Sequence, residues 1–417
     1  MQPLASASVI GLGRIGAPLA ACLASGGIDA VGVDIDRRKI DAVNAGTPPV
    51  PEPGLAELMN GPLRATPSVR EAVLATDATF ITVPTPPQPD GALSSRHVVA
   101  ACVAVGAALR DKPGFHVVAV TSTLMPGGGA TLERTVADAS GRRAGDGFVL
   151  CYVPEFVALG TAIRDYLRPD VVLIGSSAPA SGHAVEGLLR RVCENEPRVV
   201  RTTFATAELA KLALNAFLAT KITFANVLAQ ACAGLSGADV DAVTTVLGAD
   251  RRVGPAYLTG AMPFGGPCLP RDTAALAAVA RGTGASPALA DATLSINAIM
   301  LDQLVERVVD ALPAGGTVGI CGLAFKPGTD ALEDSPPATL ARRLAAAGIR
   351  VVAFDPIVSD GAAVGVELAS SLADCIARAD VVVLATPDER WRAARLGGRP
   401  VVDCWRIRGT EVEELAA

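Results

Sequence analysis

The sequence predicts an α/β protein in which two open, doubly wound sheets are joined by a central helical domain. Three observations predict this fold. A glycine turn between two strand patterns opens the chain, over residues 6–36. The same order of strand, glycine-bearing loop, helix and strand recurs over residues 316–355. Between these segments, from about residue 203 to 300, strand patterns stop and apolar residues recur with the period of a helix.

Length and composition limit the classes of protein to which the chain can belong. The chain has 417 residues, more than one ordinary core holds, and we place three domains at residues 1–200, 201–305 and 306–417. The net charge of −6 comes without a basic block, so nucleic acid is not an expected partner. Nine cysteines occur singly with no CxxC pair, which argues against a metal site or a disulfide framework. No basic leader and no uninterrupted apolar run of about 18 residues occurs, so we expect a cytoplasmic protein without membrane contact.

The first strand pattern runs into GLGRIG, a turn typical of Rossmann-like dinucleotide-binding domains. Gly11 makes the tight turn, Gly13 lets a pyrophosphate approach the backbone, and Gly16 lets helix and strand pack closely. The helix N-terminus offers unpaired amides to phosphate. Asp34 ends the next strand pattern, where a carboxylate accepts ribose hydroxyls and repels a 2′-phosphate. The sequence therefore predicts NAD, rather than NADP, as the cofactor.

Further strand patterns follow over residues 79–86, 116–126 and 148–156. Each ends in small polar residues or proline. Because the carboxyl ends of strands in an open α/β sheet face the ligand crevice, Thr85, Thr123 and Glu155 are candidate site residues. Each of them is also an ordinary turn residue when taken alone.

The middle of the chain contains two long helical patterns, over residues 205–235 and 284–312. Their largely apolar faces are able to form an oligomer interface. Lys211 and Asn215 are one turn apart on the first helix and so project from the same face. A lone lysine on an apolar face usually reaches out to water. Paired with an asparagine, it is also a candidate clamp for an oxyanion.

The C-terminal third repeats the opening architecture. A helix is expected to start at Ser335-Pro336, and the strand pattern that follows it ends at Asp355. Further strand patterns at residues 380–387 and 400–405 complete a second nucleotide-binding-like sheet. Two such sheets flanking a helical unit imply two nucleotide-bearing ligands.

Cys268 lies in FGGPCLPRD, residues 264–272. Its prolines and glycines predict a fixed loop that presents the thiol, rather than a helix or strand. The alternative is a small buried hydrophobe, which is the ordinary state of a cysteine in a reducing compartment. The other eight cysteines fit that alternative because they lie within helix or strand patterns.

Taken together, these segments resemble the UDP-glucose/GDP-mannose dehydrogenase family. The resemblance covers almost the whole chain, with the family's motifs in order: GLGRIG with VDID, EPGLAEL, TVPTP, TSTLMP, PEF with GTAIRDYLRPD, AELAKLALNAFLATKITFAN, GGPCLPRD, GLAFKPGTD and SPPATLARRL. It implies an NAD-binding N-terminal domain, a helical dimer-forming middle and a nucleotide-sugar-binding C-terminal domain. It also implies oxidation of a sugar C6 alcohol to a carboxylate with two NAD.

The resemblance assigns roles to individual residues. Cys268 would add to the aldehyde, so that a thiohemiacetal and then a thioester form on its sulfur. Lys211 and Asn215 would stabilise the oxyanions. Glu155 would activate water or act as a base, Thr123 would position that water, and Asp272 would assist proton movement near the thiol. The contacts that it implies are Lys39, Thr85 and Thr123 toward NAD, and Glu155, Phe156, Lys211, Asn215, Arg252, Tyr257, Gly265 and Lys326 toward the substrate.

The chain departs from the family at positions that contact the sugar and nucleotide in relatives, namely Leu159, Val171, Glu333 and Trp405. The resemblance therefore leaves the base open between uridine and guanosine, and the sugar open between plain and N-acetylated hexoses. A two-electron β-hydroxyacid dehydrogenase is the alternative enzyme, since it shares the N-terminal fold and a Lys/Asn helix but has no need of Cys268. A degenerate protein that only binds nucleotide sugars is the non-enzymatic alternative.

Overall fold

A computed structural model describes residues 4–59, 61–178, 181–361 and 364–409. The chain divides into two compact units, Met1–Leu212 and Ala213–Ala417. The division falls within one long helix, and the three predicted domains and their boundaries stay a prediction.

The first unit is built on eight strands: β1 Ser6–Ile10, β2 Asp29–Val33, β3 Leu63–Thr66, β4 Ala78–Ile81, β5 His116–Val120, β6 Phe148–Tyr152, β7 Val171–Ser176 and β8 Arg198–Thr202. They form one sheet in the order β3-β2-β1-β4-β5-β6-β7-β8, parallel except between β6 and β7. The first six strands have the dinucleotide-binding order, which turns back on itself between β1 and β4. Ile10 lies level with Val33 on one side and Ile81 on the other, so these strands end together.

Helices cover both faces of this sheet: α1 Gly16–Ser25, α2 Arg37–Asn44, α3 Leu55–Leu58, α4 Val69–Ala75, α5 Arg96–Leu109, α6 Gly128–Ser140, α7 Ala162–Leu167 and α8 Gly182–Val192. Two clusters of buried apolar side chains, one including Leu23 and Phe80 and the other Val105 and Phe148, form the core. The strands are apolar almost throughout because both of their faces are covered.

The middle of the chain is helical, as predicted. Helix α9 spans Phe204–Ala233, and α10 Val240–Ala249, α11 Leu269–Thr283 and α12 Ala288–Ala311 follow it. The prediction that the second long helix begins at residue 284 is wrong. Gly284 adopts the left-handed conformation and ends α11, and α12 begins after Pro287.

Two of these helices are long enough to reach across a membrane, although neither is an uninterrupted apolar run. Among the described residues, α9 and α12 are long and apolar enough to cross a membrane by length and composition alone. Scattered Thr, Ser and Asn residues interrupt the apolar runs without making either helix polar on average. The same composition is found in core helices of soluble proteins, so this is weak evidence for a membrane segment.

The second sheet has five parallel strands, β9 Thr317–Cys321, β10 Arg350–Phe354, β11 Glu367–Leu368, β12 Val381–Leu384 and β13 Val401–Asp403. Their order, β11-β10-β9-β12-β13, repeats the order of the first five strands of the first sheet, β3-β2-β1-β4-β5. The accompanying helices are α13 Pro336–Ala346, α14 Leu372–Arg378 and α15 Glu389–Arg392. Helix α13 begins at the predicted position, because the Ser335 side chain accepts a hydrogen bond from Ala338 N. The prediction of two Rossmann-like domains flanking a helical one is confirmed.

Candidate active site

The turn between β1 and α1 has the geometry that a dinucleotide pyrophosphate needs. Gly11 has a φ of +100°, and a Cβ there would lie 2.8 Å from the carbonyl oxygen of Thr82. A Cβ on Gly16 would overlap the carbonyl oxygen of Gly11, whereas a Cβ on Gly13 would meet nothing within 4 Å. Gly13 therefore lines open space rather than packing. The first turn of α1 contains no acidic residue, and its N-cap, Ile15, has no side chain able to accept from the helix amides.

Asp34 lies at the predicted place beyond the end of β2 and is buried. Its carboxylate accepts from Leu12 N at 2.7 Å and from Asp36 N at 2.8 Å, and Lys39 Nζ lies 3.5 Å away. The carboxylate thus holds the glycine turn in place, and each of its oxygens keeps capacity for a further donor such as a ribose hydroxyl. Together with the space at Gly13 and the uncapped end of α1, these residues fit NAD.

The segments that follow β4, β5 and β6 contain four other predicted residues of the first unit, and a fifth, Lys211, lies on α9. Thr85 and Thr123 are buried. Lys211 is 2% exposed, and its Nζ donates to the carbonyl oxygen of Glu155 at 2.5 Å. The same ammonium lies 3.3 Å from the Glu155 carboxylate and 5.2 Å from the centre of the Phe156 ring. A buried ammonium is thus held next to a carboxylate, an arrangement suited to proton transfer and to stabilising an anion.

Cys268 belongs to the second unit, and the prediction about its surroundings is half wrong. The loop ends at Cys268 itself, which is the N-cap of α11, and Leu269–Asp272 form the first turn of the helix. Pro270 is tolerated there because first-turn amides have no partner within the helix. The sulfur therefore lies at the positive end of a helix, which favours an anion. Cys268 is half-buried.

Asp272 and Asn215 lie close to this helix start. Asp272 is one turn after Cys268, is fully buried, and donates its backbone N–H to the Cys268 carbonyl oxygen at 2.9 Å. Its carboxylate accepts from Asn215 Nδ2 at 2.6 Å and from Arg271 Nε at 2.8 Å. The second unit thus brings together three of the predicted catalytic residues.

Burial makes most of the other cysteine thiols weak acids and therefore poor nucleophiles. Burial raises the pKa of the Cys22, Cys102, Cys151 and Cys404 thiols to about 12, so these four stay protonated at neutral pH. Only Cys193 and Cys232 share the half-buried state of Cys268 among the cysteines. This supports the prediction that most cysteines pack as small hydrophobes.

The cysteine loop is held by close backbone contacts within the second unit. A Cβ on Gly265 would overlap the Asp334 carbonyl oxygen, and one on Gly266 would lie 2.6 Å from the Phe325 ring. Gly266 N donates to the Asp334 carbonyl oxygen at 3.1 Å, and Asp334 has a φ of 46°. On the other side, the Asn297 side chain donates to and accepts from the backbone of Phe264. The loop therefore has almost no room to shift.

The second unit also contains three predicted substrate residues. Arg252 is exposed, and its guanidinium donates to the Asp250 carboxylate, from Nη2 at 2.6 Å. Tyr257 is half-exposed with a φ of 63°. Lys326 Nζ lies 5.8 Å from the centre of the Phe325 ring. Their substrate roles stay predictions.

Sequence reasoning missed three residues that hold the site loops. Glu52 accepts from Gly160 N at 2.8 Å and from Ala162 N at 2.7 Å, which fixes the segment after Glu155. Asn297 holds the cysteine loop, and Glu208 holds the loop after Thr123. The available signal was a polar residue in a largely apolar helical pattern, which is strong for Glu208 and weak for Asn297. Glu52 lies in a loop before α3 and gave no such signal.

The geometry defines the class of protein, an NAD-binding oxidoreductase with a cysteine placed at a helix N-terminus. The chain matches the NAD binding domain of the UDP-glucose/GDP-mannose dehydrogenase family over residues 5–193, the central domain over 205–299 and the UDP binding domain over 319–409. It therefore belongs to the UDP-glucose/GDP-mannose dehydrogenase family.

Individual relatives agree with this assignment along the whole chain. A UDP-glucose 6-dehydrogenase of Haloferax volcanii is 37% identical over 98% of this chain and 99% of its own length. A GDP-mannose 6-dehydrogenase of Azotobacter vinelandii is 35% identical over 95% of each. A solved UDP-glucose dehydrogenase from Pyrobaculum islandicum matches with a TM-score of 0.90 and 35% identity, over 99% of this chain and 96% of that one.

Proposed function

We propose that this protein oxidises the C6 alcohol of a nucleotide sugar to a carboxylate in two NAD-dependent steps, giving a sugar uronate for polysaccharide synthesis. The observation that carries the proposal is Cys268 at the start of α11, with Asp272 one turn behind it. A two-electron dehydrogenase needs no such thiol. The sequence similarity to 6-dehydrogenases along the whole chain supports the same reading.

NAD would be held by Gly11, Gly13 and Asp34, and would supply the hydride acceptor for both oxidations. Cys268 forms the carbon–sulfur bond by adding to the aldehyde of the first oxidation, and the thiol proton leaves to a nearby base. Loss of hydride from this thiohemiacetal leaves a thioester. Water then breaks the carbon–sulfur bond, which returns the thiol and releases a carboxylate.

We assign the remaining steps, oxyanion stabilisation, water activation and proton transfer, to polar residues of the two units. Lys211 carries a positive charge where it neutralises an oxyanion, and Glu155, which its ammonium holds, is the base that activates water. Thr123 orients that water. In the second unit Asn215 donates to the oxyanion, and Asp272 relays the thiol proton.

We also propose a homodimer in the cytoplasm. Along α9, Phe217 is 62% and Phe224 is 52% exposed, and Leu214 and Val227 are exposed on the same stripe. Their spacing of three and seven residues places all four on one face of the helix. An aromatic stripe of this kind is costly in water and is satisfied by a second copy of the chain. Sedimentation velocity tests this, and a Phe217→Glu, Phe224→Glu double variant should sediment as a monomer.

A panel of UDP- and GDP-sugars, with NADH counted per sugar consumed, tests the reaction. Two NADH per nucleotide sugar and a uronate product are expected. Cys268→Ala should abolish the second oxidation, so that at most one NADH and an aldehyde form. One NADH with a carbonyl product in the wild-type protein would instead establish the β-hydroxyacid type. Binding without turnover, unchanged in Cys268→Ala, would establish a nucleotide-sugar-binding protein.

A further inference from the structure

Glu208 is a buried carboxylate that no step of the proposed reaction uses. It lies in the second turn of α9 and is 0% exposed. Its two oxygens accept from Gly127 N at 2.7 Å and from Gly129 N at 2.5 Å, at the start of α6. Burial raises the pKa of this carboxyl group, and the two amides oppose that rise. A buried carboxylate is costly unless it is hydrogen-bonded, so its position is bound to that of the loop.

The contact between Glu208 and the start of α6 is tightly packed. The N-cap of α6 is Gly127, which has no side chain to cap its own helix, so Glu208 supplies the missing acceptor from another element. A Cβ on Gly129 would lie 2.5 Å from the Phe204 ring in the first turn of α9. The first turns of α6 and α9 therefore pack so closely at Gly129 that only glycine fits there.

One face of α9 holds two site loops at once. Glu208 and Lys211 are three residues apart and project from the same side of the helix. Glu208 binds the loop that follows Thr123, and Lys211 binds the carbonyl oxygen of Glu155 in the loop that follows β6. That first loop also lines a cavity of about 270 Å³, with Thr123, Gly127 and Gly128 in its wall.

We propose that Glu208 is a positioning residue that sets the distance between Thr123 and the Lys211–Glu155 pair. This inference rests on the proposed function, because Thr123 and Glu155 are assigned there to the water that releases the product. Without the two amide bonds, the loop after Thr123 is free to move away from α9. A displacement of about 1 Å at reacting groups costs as much as 100-fold in rate.

Glu208→Gln is the test, because it keeps the shape of the side chain but leaves an NH₂ group facing one of the two amides. We expect kcat to fall about 10- to 100-fold while KM for the nucleotide sugar changes less than about threefold. The matched control is Glu186→Gln, which removes a carboxylate of the same unit that is bound to Arg190 and Arg201, and which should keep wild-type kcat. Thermal unfolding shows whether each variant is folded.

Amide hydrogen exchange on the NAD-free protein gives a readout that does not depend on activity. In Glu208→Gln, exchange should become at least about tenfold faster in residues 123–132 and stay unchanged in the strands of the first sheet. A folded Glu208→Gln with wild-type kcat, or with exchange faster throughout the unit, would overturn the positioning role. If the wild-type protein oxidises no nucleotide sugar, the proposed function fails and the exchange data alone decide the role of Glu208. Glu208→Asp, which keeps the charge but withdraws it by one methylene, provides the same test if the Gln variant does not fold.

Discussion

The first turns of the two Rossmann-like sheets are built alike up to the point where their helices begin. Gly11 and Gly322 have φ values of +100° and +95°. Each donates its N–H to the last residue of the neighbouring strand, Gly11 to Val33 at 2.7 Å and Gly322 to Phe354 at 2.8 Å. In each turn an aspartate beyond that strand accepts from the next backbone amide: Asp34 from Leu12 N at 2.7 Å, and Asp355 from Leu323 N at 2.8 Å.

The two turns differ in what the helix N-terminus offers to a ligand. Helix α1 begins at Gly16 behind a side chain that cannot cap it. Helix α13 begins only at Pro336, behind a longer loop, and Ser335 caps it while donating to the Leu323 carbonyl oxygen at 2.6 Å. Two prolines at its start remove further donors. The same topology thus leaves open amides at the helix start in the first sheet. In the second sheet we expect ligand recognition to fall to the loop that carries Lys326.

The largest expected effect comes from the glycines that allow each turn. Gly16→Ala forces a Cβ into the Gly11 carbonyl oxygen, and Gly322→Ala forces one against the Thr386 side chain at a φ of +95°. We expect each to lower the free energy of unfolding by about 3 kcal/mol. Titrations with NAD and with UDP and GDP should separate them, since Gly16→Ala should lose NAD and Gly322→Ala the nucleoside diphosphate. Equal losses of both ligands in both variants would contradict separate sites.

Gly13→Ala tests phosphate binding at the first turn without disturbing its packing. A Cβ there meets nothing within 4 Å and fills only the space that faces the uncapped helix. NAD affinity should fall about 10- to 100-fold, since phosphate loses its close approach to the backbone. Isothermal titration calorimetry measures this loss. The Tm without ligand should match that of the wild-type protein, and unchanged NAD binding would show that the pyrophosphate does not use this turn.

Acid should destabilise the first sheet selectively. Strand β5 buries His116, whose Nε2 lies 2.8 Å from Thr79 Oγ1, and burial lowers its pKa to about 3. Above pH 6.5 the ring is neutral both folded and unfolded. Below it only the unfolded chain gains a proton, so stability falls by about 1.4 kcal/mol per pH unit, or about 2 kcal/mol at pH 5.

Urea unfolding at pH 7 and pH 5 measures this loss. His116→Gln keeps a polar partner for Thr79 but does not titrate, so its stability should change less between the two pH values. An equal loss in both proteins would assign the acid sensitivity to other groups.

The smallest effect is expected at the second turn. Ser335→Ala removes the cap of α13 and should lower the free energy of unfolding by about 1 kcal/mol. NAD affinity should stay at the wild-type value in the same preparation. A clear loss of NAD affinity would show that the two turns are not independent.

The sequence predicts these turns well because their signals are local. Gly11, Gly16 and Asp34 lie within one short stretch whose spacing already encodes strand, turn and helix. Ser335 followed by proline marks the start of α13 in the same way. The start of α11 was missed because the glycines and prolines of its segment predict a loop equally well, and only the hydrogen bond from Asp272 N to Cys268 settles the matter.

The three residues that hold the site loops, Glu52, Asn297 and Glu208, could not be predicted from the sequence. Glu52 binds amides at residues 160 and 162, and Asn297 binds the backbone at residue 264. Partners that are far apart in sequence leave no periodic pattern, and a single polar residue in a helix has many ordinary explanations. Glu208 was the most accessible of them, since a carboxylate in a largely apolar helix requires a partner.

Among the described residues, Tyr257, Asp334 and Arg406 are the non-glycine positions with positive φ, and all three lie in the second unit. At each of them the left-handed conformation lowers the stability of the fold by roughly 1–3 kcal/mol, whereas glycine adopts it freely. A chain optimised only for folding would replace them with glycine. Thermostabilisation by such replacements is therefore expected to erode function here: Asp334 and Arg406 adjoin the loops around Cys268 and Gly260, so the most stable version of this protein should not be the most active one.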